Sequence, residues 1–324
     1  MGENVTVNAS IGPEQSLSNE AYIGVVYIHG IGSIVLVPIG VILNIFVIIV
    51  IAKIRKLRTV PNLFMFLLSL NDFILYSIFF LISGIHRLSK ATVIQFCAPF
   101  EYTYNVLYGI GIMYYCLIAL NRYCLVIHNS SYKKVFNTKT TTLMIVMSWV
   151  IPICVFLEPL LNTSGGNYYD FKDDRYTCCI RSDDVASGVS LWKIVVIIAF
   201  AGPSLVMMFS YSQILYTLRC QRLKIQNEQA HAVQAGGANL RIPKIVDWKY
   251  TRIMIMIFLV FVLTNGPYLI SQNVNSSPLI NHILGLLVKM NGILNCLIYM
   301  TMNRRFKKAM RLMIQSEPNS SNVI

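Results

Sequence analysis

Three ionisable side chains stand in stretches that are otherwise apolar: Asp72, Arg122 and Lys289. A carboxylate deep in a membrane-length apolar run can hold a cation or a proton and so bias two arrangements of helices. The blander reading of Asp72, an acid held by hydrogen bonds in a cavity, still implies a polar interior. An arginine closing such a run must snorkel, pair or perform a task. Arg122 sits between polar neighbours, Asn121 and Tyr123, and not in a loose basic loop. An amine in an apolar run, Lys289, has three uses open to it. It can form a Schiff base with a carbonyl, contact an anionic or carbonyl ligand, or pair with an acid, for which Glu101 is the candidate. The five histidines, at 29, 86, 128, 231 and 282, are scattered. Membrane enzymes usually set paired acids or histidine clusters in their helices, so an enzyme is not expected.

The elements that must position these groups are membrane spans. The chain has 324 residues, 55% hydrophobic and only 13% charged, against roughly 25% charged in soluble domains. Its apolar residues fall into long runs, not the short alternation of a β-barrel. Cys97 and Arg122 stand 25 residues apart, about 38 Å as a helix, enough for the hydrocarbon core and part of a headgroup layer. Seven spans are expected, near 24–51, 61–85, 97–122, 142–161, 190–217, 249–271 and 279–301, an all-α seven-helix bundle. The bundle covers 24–302. An extracellular tail (1–23) precedes it; an amphipathic helix on the inner leaflet (303–314) and a cytoplasmic tail (315–324) follow. Phe306, Met310 and Met313 share one face of that last helix, opposed by lysine and arginine.

Charge sets the orientation. Of the 27 Lys and Arg, 20 fall on the side of the loops after spans one, three, five and seven, and 5 on the other. That is the positive-inside asymmetry, with the N-terminus outside and the plasma membrane as the location. The net charge of +13 then serves topology, anionic lipid and a cytosolic partner, not nucleic acid. No cleavable signal peptide is expected. Asn4 and Asn8 open N-glycosylation patterns on the outer side. The loop 162–188 is acidic, and the least apolar loop, 218–248, contains a flexible Ala235–Asn239 linker. Cys97, Cys178 and Cys179 fall on the oxidising side. A bridge from Cys97 to Cys178 would tie the acidic loop over the mouth of the bundle, with Cys179 as the other choice. Internal repeats that would point to a transporter are not found.

Taken in order, Asn44, Asp72, Asn121-Arg122-Tyr123, Trp149, Pro203, Pro267 and Asn295 to Tyr299 form a spaced set. Over about residues 24–314 the sequence resembles the rhodopsin-like (class A) G-protein-coupled receptors, whose third helix ends in Asp/Glu-Arg-Tyr. The resemblance implies roles. Asn121, Arg122 and Tyr123, with Tyr211, Asn295 and Tyr299, would form the coupling switch. Asp247, twenty residues before Pro267, would pair with Arg122 at rest. Ile112, Pro203 and Phe261 would repack at the helix crossing. Asp72, with Asn44, Asn291 and Asn295, would hold a sodium ion, although Gly111 stands where a serine usually completes that shell. Trp149 is read as packing.

Asn121 to Cys124, Val126-Ile127-His128, Tyr132-Lys133, Asp174 to Cys178 and Asn291 to Tyr299 look like the melatonin-receptor branch. The pocket departs from it: Asn265 replaces the tryptophan before Pro267, Ala199 replaces a histidine and Pro159 a polar contact. The expectation is a receptor for an extracellular small ligand other than melatonin, bound among Glu101, Tyr104, Asn105, Asn265, Tyr268 and Lys289. It would activate a heterotrimeric G protein, of the inhibitory type by analogy with the branch, through outward movement of the sixth helix. Lys289 also has the spacing to Asn295 of the opsins' retinal lysine. The alternative is therefore an opsin-like photoreceptor or retinoid receptor with retinal on Lys289 and Glu101 or Asp173 as counterion. No other cofactor is expected.

Overall fold

The computed structural model describes residues 19–89, 96–161, 167–172, 177–182, 191–234, 248–273 and 277–315. Among the described residues the chain is carried by eight long helices, α1 (Asn19–Lys53), α2 (Val60–Ser89), α3 (Cys97–Ile127), α4 (Thr138–Leu161), α5 (Leu191–Gln234), α6 (Trp248–Asn273), α7 (Pro278–Met302) and α8 (Arg304–Gln315). Among the described residues the first seven are long and apolar enough to cross a membrane, so the chain is a multi-pass membrane protein. Its lateral faces carry exposed hydrocarbon, including Ile28, Leu143, Leu205 and Leu263. The polar side chains Asn44, Asn121, Asn265 and Asn295 are buried. That inversion suits a bundle in lipid, where polar groups must find partners between helices.

Local chemistry sets the helix ends. Thr59 is extended and Pro61 occupies the first turn of α2, where its missing N–H costs nothing. Ser277 accepts from the Ile280 N–H ahead of Pro278 and caps α7. Asn303 ends α7, and its Oδ1 accepts from the N–H groups of Arg305 and Phe306 to start α8. Phe306 of α8 is fully buried, edge-on to Tyr299 and Phe46. The apolar face of α8 therefore grips the bundle at Phe306, not lipid alone.

α3 runs through the centre, against α2, α4, α5 and α6, and α7 packs on α1 and α6. Close approach is bought at glycine. Gly40 of α1 and Gly292 of α7 flank the Tyr76 ring, where a Cβ at Gly40 would overlap the ring and one at Gly292 would lie 2.8 Å from Asp72 Oδ2.

The structure corrects two expectations, the loop at 218–248 and the role of Trp149, and adds two features that the sequence analysis did not describe. α2 is not regular, since Leu75–Phe80 forms a π turn around Tyr76. The stretch 218–248 is not a loop throughout, because α5 continues to Gln234; the linker at 235–239 lies outside the described residues. The loop after α4 contains an antiparallel hairpin, β1 (Asn167–Lys172) with β2 (Thr177–Ser182), in the register Phe171 to Cys178. Trp149 does more than pack: its Nε1 donates to Tyr114 Oη at 2.8 Å while the ring remains 42% exposed.

Candidate functional site

Arg122, which closes the membrane-length run of α3, is only 8% exposed, unlike a charge that merely marks topology. Asn121 beside it is fully buried and donates to Tyr132 Oη at 3.0 Å, from the single helical turn Tyr132–Val135. Tyr123 faces α5, its ring 5.9 Å from Phe209. Tyr211 of α5 is buried against Phe258 of α6, with ring centroids 5.3 Å apart. Tyr299 donates to Asn62 Oδ1 at 3.0 Å, and Asn62 Nδ2 donates to the Leu57 carbonyl. One end of the bundle thus gathers the expected coupling residues Asn121, Arg122, Tyr123, Tyr211 and Tyr299 with two the sequence reading missed, Asn62 and Tyr132. Asp247 lies outside the described residues.

Midway along the bundle, Tyr115 is the centre that sequence reasoning overlooked. Its Oη accepts from Asn291 Nδ2 at 2.8 Å and also from Asn295 Nδ2. Its ring lies 4.6 Å from Phe261, which stacks in turn on Phe200, one turn before Pro203. Phe261 and Ile112 share a cavity of about 40 Å³ with Asp72, Tyr115, Asn265 and Asn291. Asp72 Oδ2, Asn291 Oδ1 and Asn295 Oδ1 are buried without hydrogen-bond partners. Such oxygens suit a small hard cation or water. Asn44 does not join them. Its Nδ2 donates to the Gly40 carbonyl and its Oδ1 accepts from Cys296 Sγ.

The ligand candidates separate into two groups. Tyr104 stacks on Tyr108, whose Oη donates to Asn265 Oδ1 at 2.8 Å, and Tyr268 of α6 lies near both tyrosines. Tyr108 and Ile112 line the polar cavity and also a second, apolar one of about 50 Å³ bounded by Gly109, Pro152, Phe156 and Phe200. Glu101 and Asn105 form the other group, with Asn105 Nδ2 on the Glu101 carboxylate at 3.2 Å. Tyr169 of β1 covers them: burial first, and the Glu101 carboxylate second, raise its phenol well above the usual value. The hairpin is thus a lid over that side.

Lys289 does not pair with Glu101. Its Nζ donates to Ser33 Oγ at 2.6 Å and lies 3.1 Å from His29 Nε2, 5.2 Å over the Phe80 ring. Its amine is engaged by α1, and among the described residues no carboxylate contacts it. The residues present therefore do not fit a retinal linkage, and Asp173 lies outside the described residues.

Cys97 is buried at the start of α3 and disulfide-bonded. The side chains of Cys178 and Cys179 lie outside those described, as do Asn4 and Asn8.

A family model described as "7 transmembrane receptor (rhodopsin family)" matches residues 43–302. The chain is similar to Protein trapped in endoderm-1 of Drosophila melanogaster, 24% identical, covering 86% of this chain and 75% of that protein. It is likewise similar to Melatonin receptor type 1C of Gallus gallus, 24% identical, covering 85% and 78%. Among solved structures, squid rhodopsin superposes with a TM-score of 0.69 at 19% identity, over 92% of this chain and 87% of that one.

Proposed function

Because this chain belongs to the rhodopsin family of seven-transmembrane receptors, and is a signalling receptor and not an enzyme, we propose that it binds a small ligand from outside the cell and activates a heterotrimeric G protein. The observation that carries this is the burial of Arg122 at the end of α3, at the end of the bundle that also holds Asn62, Asn121, Tyr211 and Tyr299. At rest Arg122 pairs with Asp247. Outward movement of α6 parts them and opens a basic cleft for a helix of the partner. Asn121 carries no charge, so the lock within α3 is weaker than one with an acid. The orientation that serves this puts the N-terminus outside, at the plasma membrane, with Asn4 and Asn8 glycosylated and Cys97 bridged to Cys178.

The ligand meets Tyr104, Tyr108, Asn265 and Tyr268 between the polar and the apolar cavity. Asn265 in place of the branch's tryptophan argues for a ligand other than melatonin. Asp72, Asn291 and Asn295 would hold a sodium ion if one binds. Tyr115 takes the two Nδ2 groups and leaves both Oδ1 atoms to such an ion. The geometry does not favour a retinal linkage.

The test is guanine-nucleotide exchange by the purified receptor in lipid nanodiscs, with an inhibitory-type heterotrimer first and the other classes after it. Accelerated exchange that Arg122→Gln abolishes without loss of fold is expected. A folded receptor that accelerates exchange on none of them would sink the reading.

A further inference from the structure

A group of basic side chains between α1, α2 and α7 has no part in coupling. His29, Ser33, Arg87, His282 and Lys289 are all at most 8% exposed. His29 Nδ1 lies 2.9 Å from the His282 carbonyl oxygen and 3.3 Å from His282 Nδ1. On the other side of the ring, His29 Nε2 lies 3.1 Å from Lys289 Nζ. Ser33, which accepts from Lys289, donates to the His29 carbonyl at 2.7 Å. The two imidazoles stand edge to face, 5.2 Å apart. α7 leaves His29 no slack, because a Cβ at Gly285 would lie 2.9 Å from its Cε1.

These contacts assign the tautomer. A carbonyl can only accept, so Nδ1 carries the proton and donates to His282. Nε2 is left with its lone pair, which accepts from Lys289. A second proton on His29 must go to Nε2, where a charged Lys289 would face it donor to donor at 3.1 Å; only a Lys289 that had given up its own proton could accept, so the closed pair has no place for both protons. The charged and titratable groups acting on His29 are Lys289 and His282 of α7 and Arg87 of α2. Among the described residues none of them is an acid; Glu101 of α3 acts on Arg87, and Asp72 lies further along α2 beyond Tyr76. A cluster packed this way takes a proton more readily when α1 and α7 part than when they are closed. By linkage, acid therefore favours parting.

We propose that His29, set against His282 and Lys289, is a proton-binding site through which acid on the outer side loosens α1 from α7. The outer placement rests on the orientation proposed above; the site itself does not.

The test is the thermal melt of the purified full chain in nanodiscs between about pH 7.5 and about pH 5.5, the range in which imidazole titrates. The wild-type midpoint is expected to fall by several degrees on acidification. His29→Gln, which keeps an acceptor for Lys289 and a donor for His282, should be flat. His128→Gln, at the other end of the bundle, should fall like the wild type. Lys289→Met removes the opposing amine and should shrink the fall even if His29→Gln does not fold. A flat wild-type melt, or an undiminished fall in either cluster variant, overturns the proposal. The melt needs no G protein, so a His29-dependent fall in a receptor that fails the exchange assay upholds the proton site and faults only the coupling reading.

Discussion

Asn121 tests whether the charge logic of the coupling end is right. Its amide donates to Tyr132 and its Oδ1 has no partner. Asn121→Asp would place an anion next to Arg122 while still accepting from the Tyr132 hydroxyl. Basal nucleotide exchange should therefore drop several-fold; a rise would contradict the account. Arg122 and Asp72 were legible in the sequence because a charge in an apolar run has few innocent explanations. The partners were not. Tyr115, Tyr132 and Asn62 are ordinary residue types at unremarkable spacings, and their roles come from neighbours 176, 11 and 237 positions away in the chain. Of the three uses left open for Lys289, pairing with Glu101 is not the arrangement found. The acid at Glu101 suggested a pair, whereas packing delivered His29 and Ser33.

Span-by-span hydropathy finds helices well and their irregularities poorly. The seven spans were placed to within a few residues at most ends. The exceptions were the start of α1 and the far end of α5, where polar helix extends the apolar run, and the far end of α3, which continues through Cys124 to Ile127 beyond Arg122. The π turn at Leu75–Phe80 left no mark in composition, since Leu, Tyr, Ser, Ile and Phe suit a regular span equally well. Its consequence is the wedge of Tyr76 between Gly40 and Gly292, with the Tyr76 hydroxyl on the Lys289 carbonyl. Gly40→Ala would drive a methyl into that ring. Overpacking of this kind costs about 1–3 kcal/mol, so the melting midpoint should drop clearly. An unchanged melt would mean that α1, α2 and α7 do not approach as closely as described.

Across the whole molecule, basic residues gather at one end and the hairpin covers the other, with two small cavities between. α3 and α6 run between the two ends: Tyr108 meets Asn265 toward the hairpin, Tyr115 meets Phe261 in the middle, and Arg122 lies beyond them. The measurement that bears most directly on this account is the distance between spin labels at Lys139, in the first turn of α4, and Arg252, near the start of α6. Both side chains are exposed, so labels there should disturb little. The account predicts that adding nucleotide-free G protein lengthens this distance, and that Arg122→Gln abolishes the change. A distance that stays the same while the G protein is bound would contradict it.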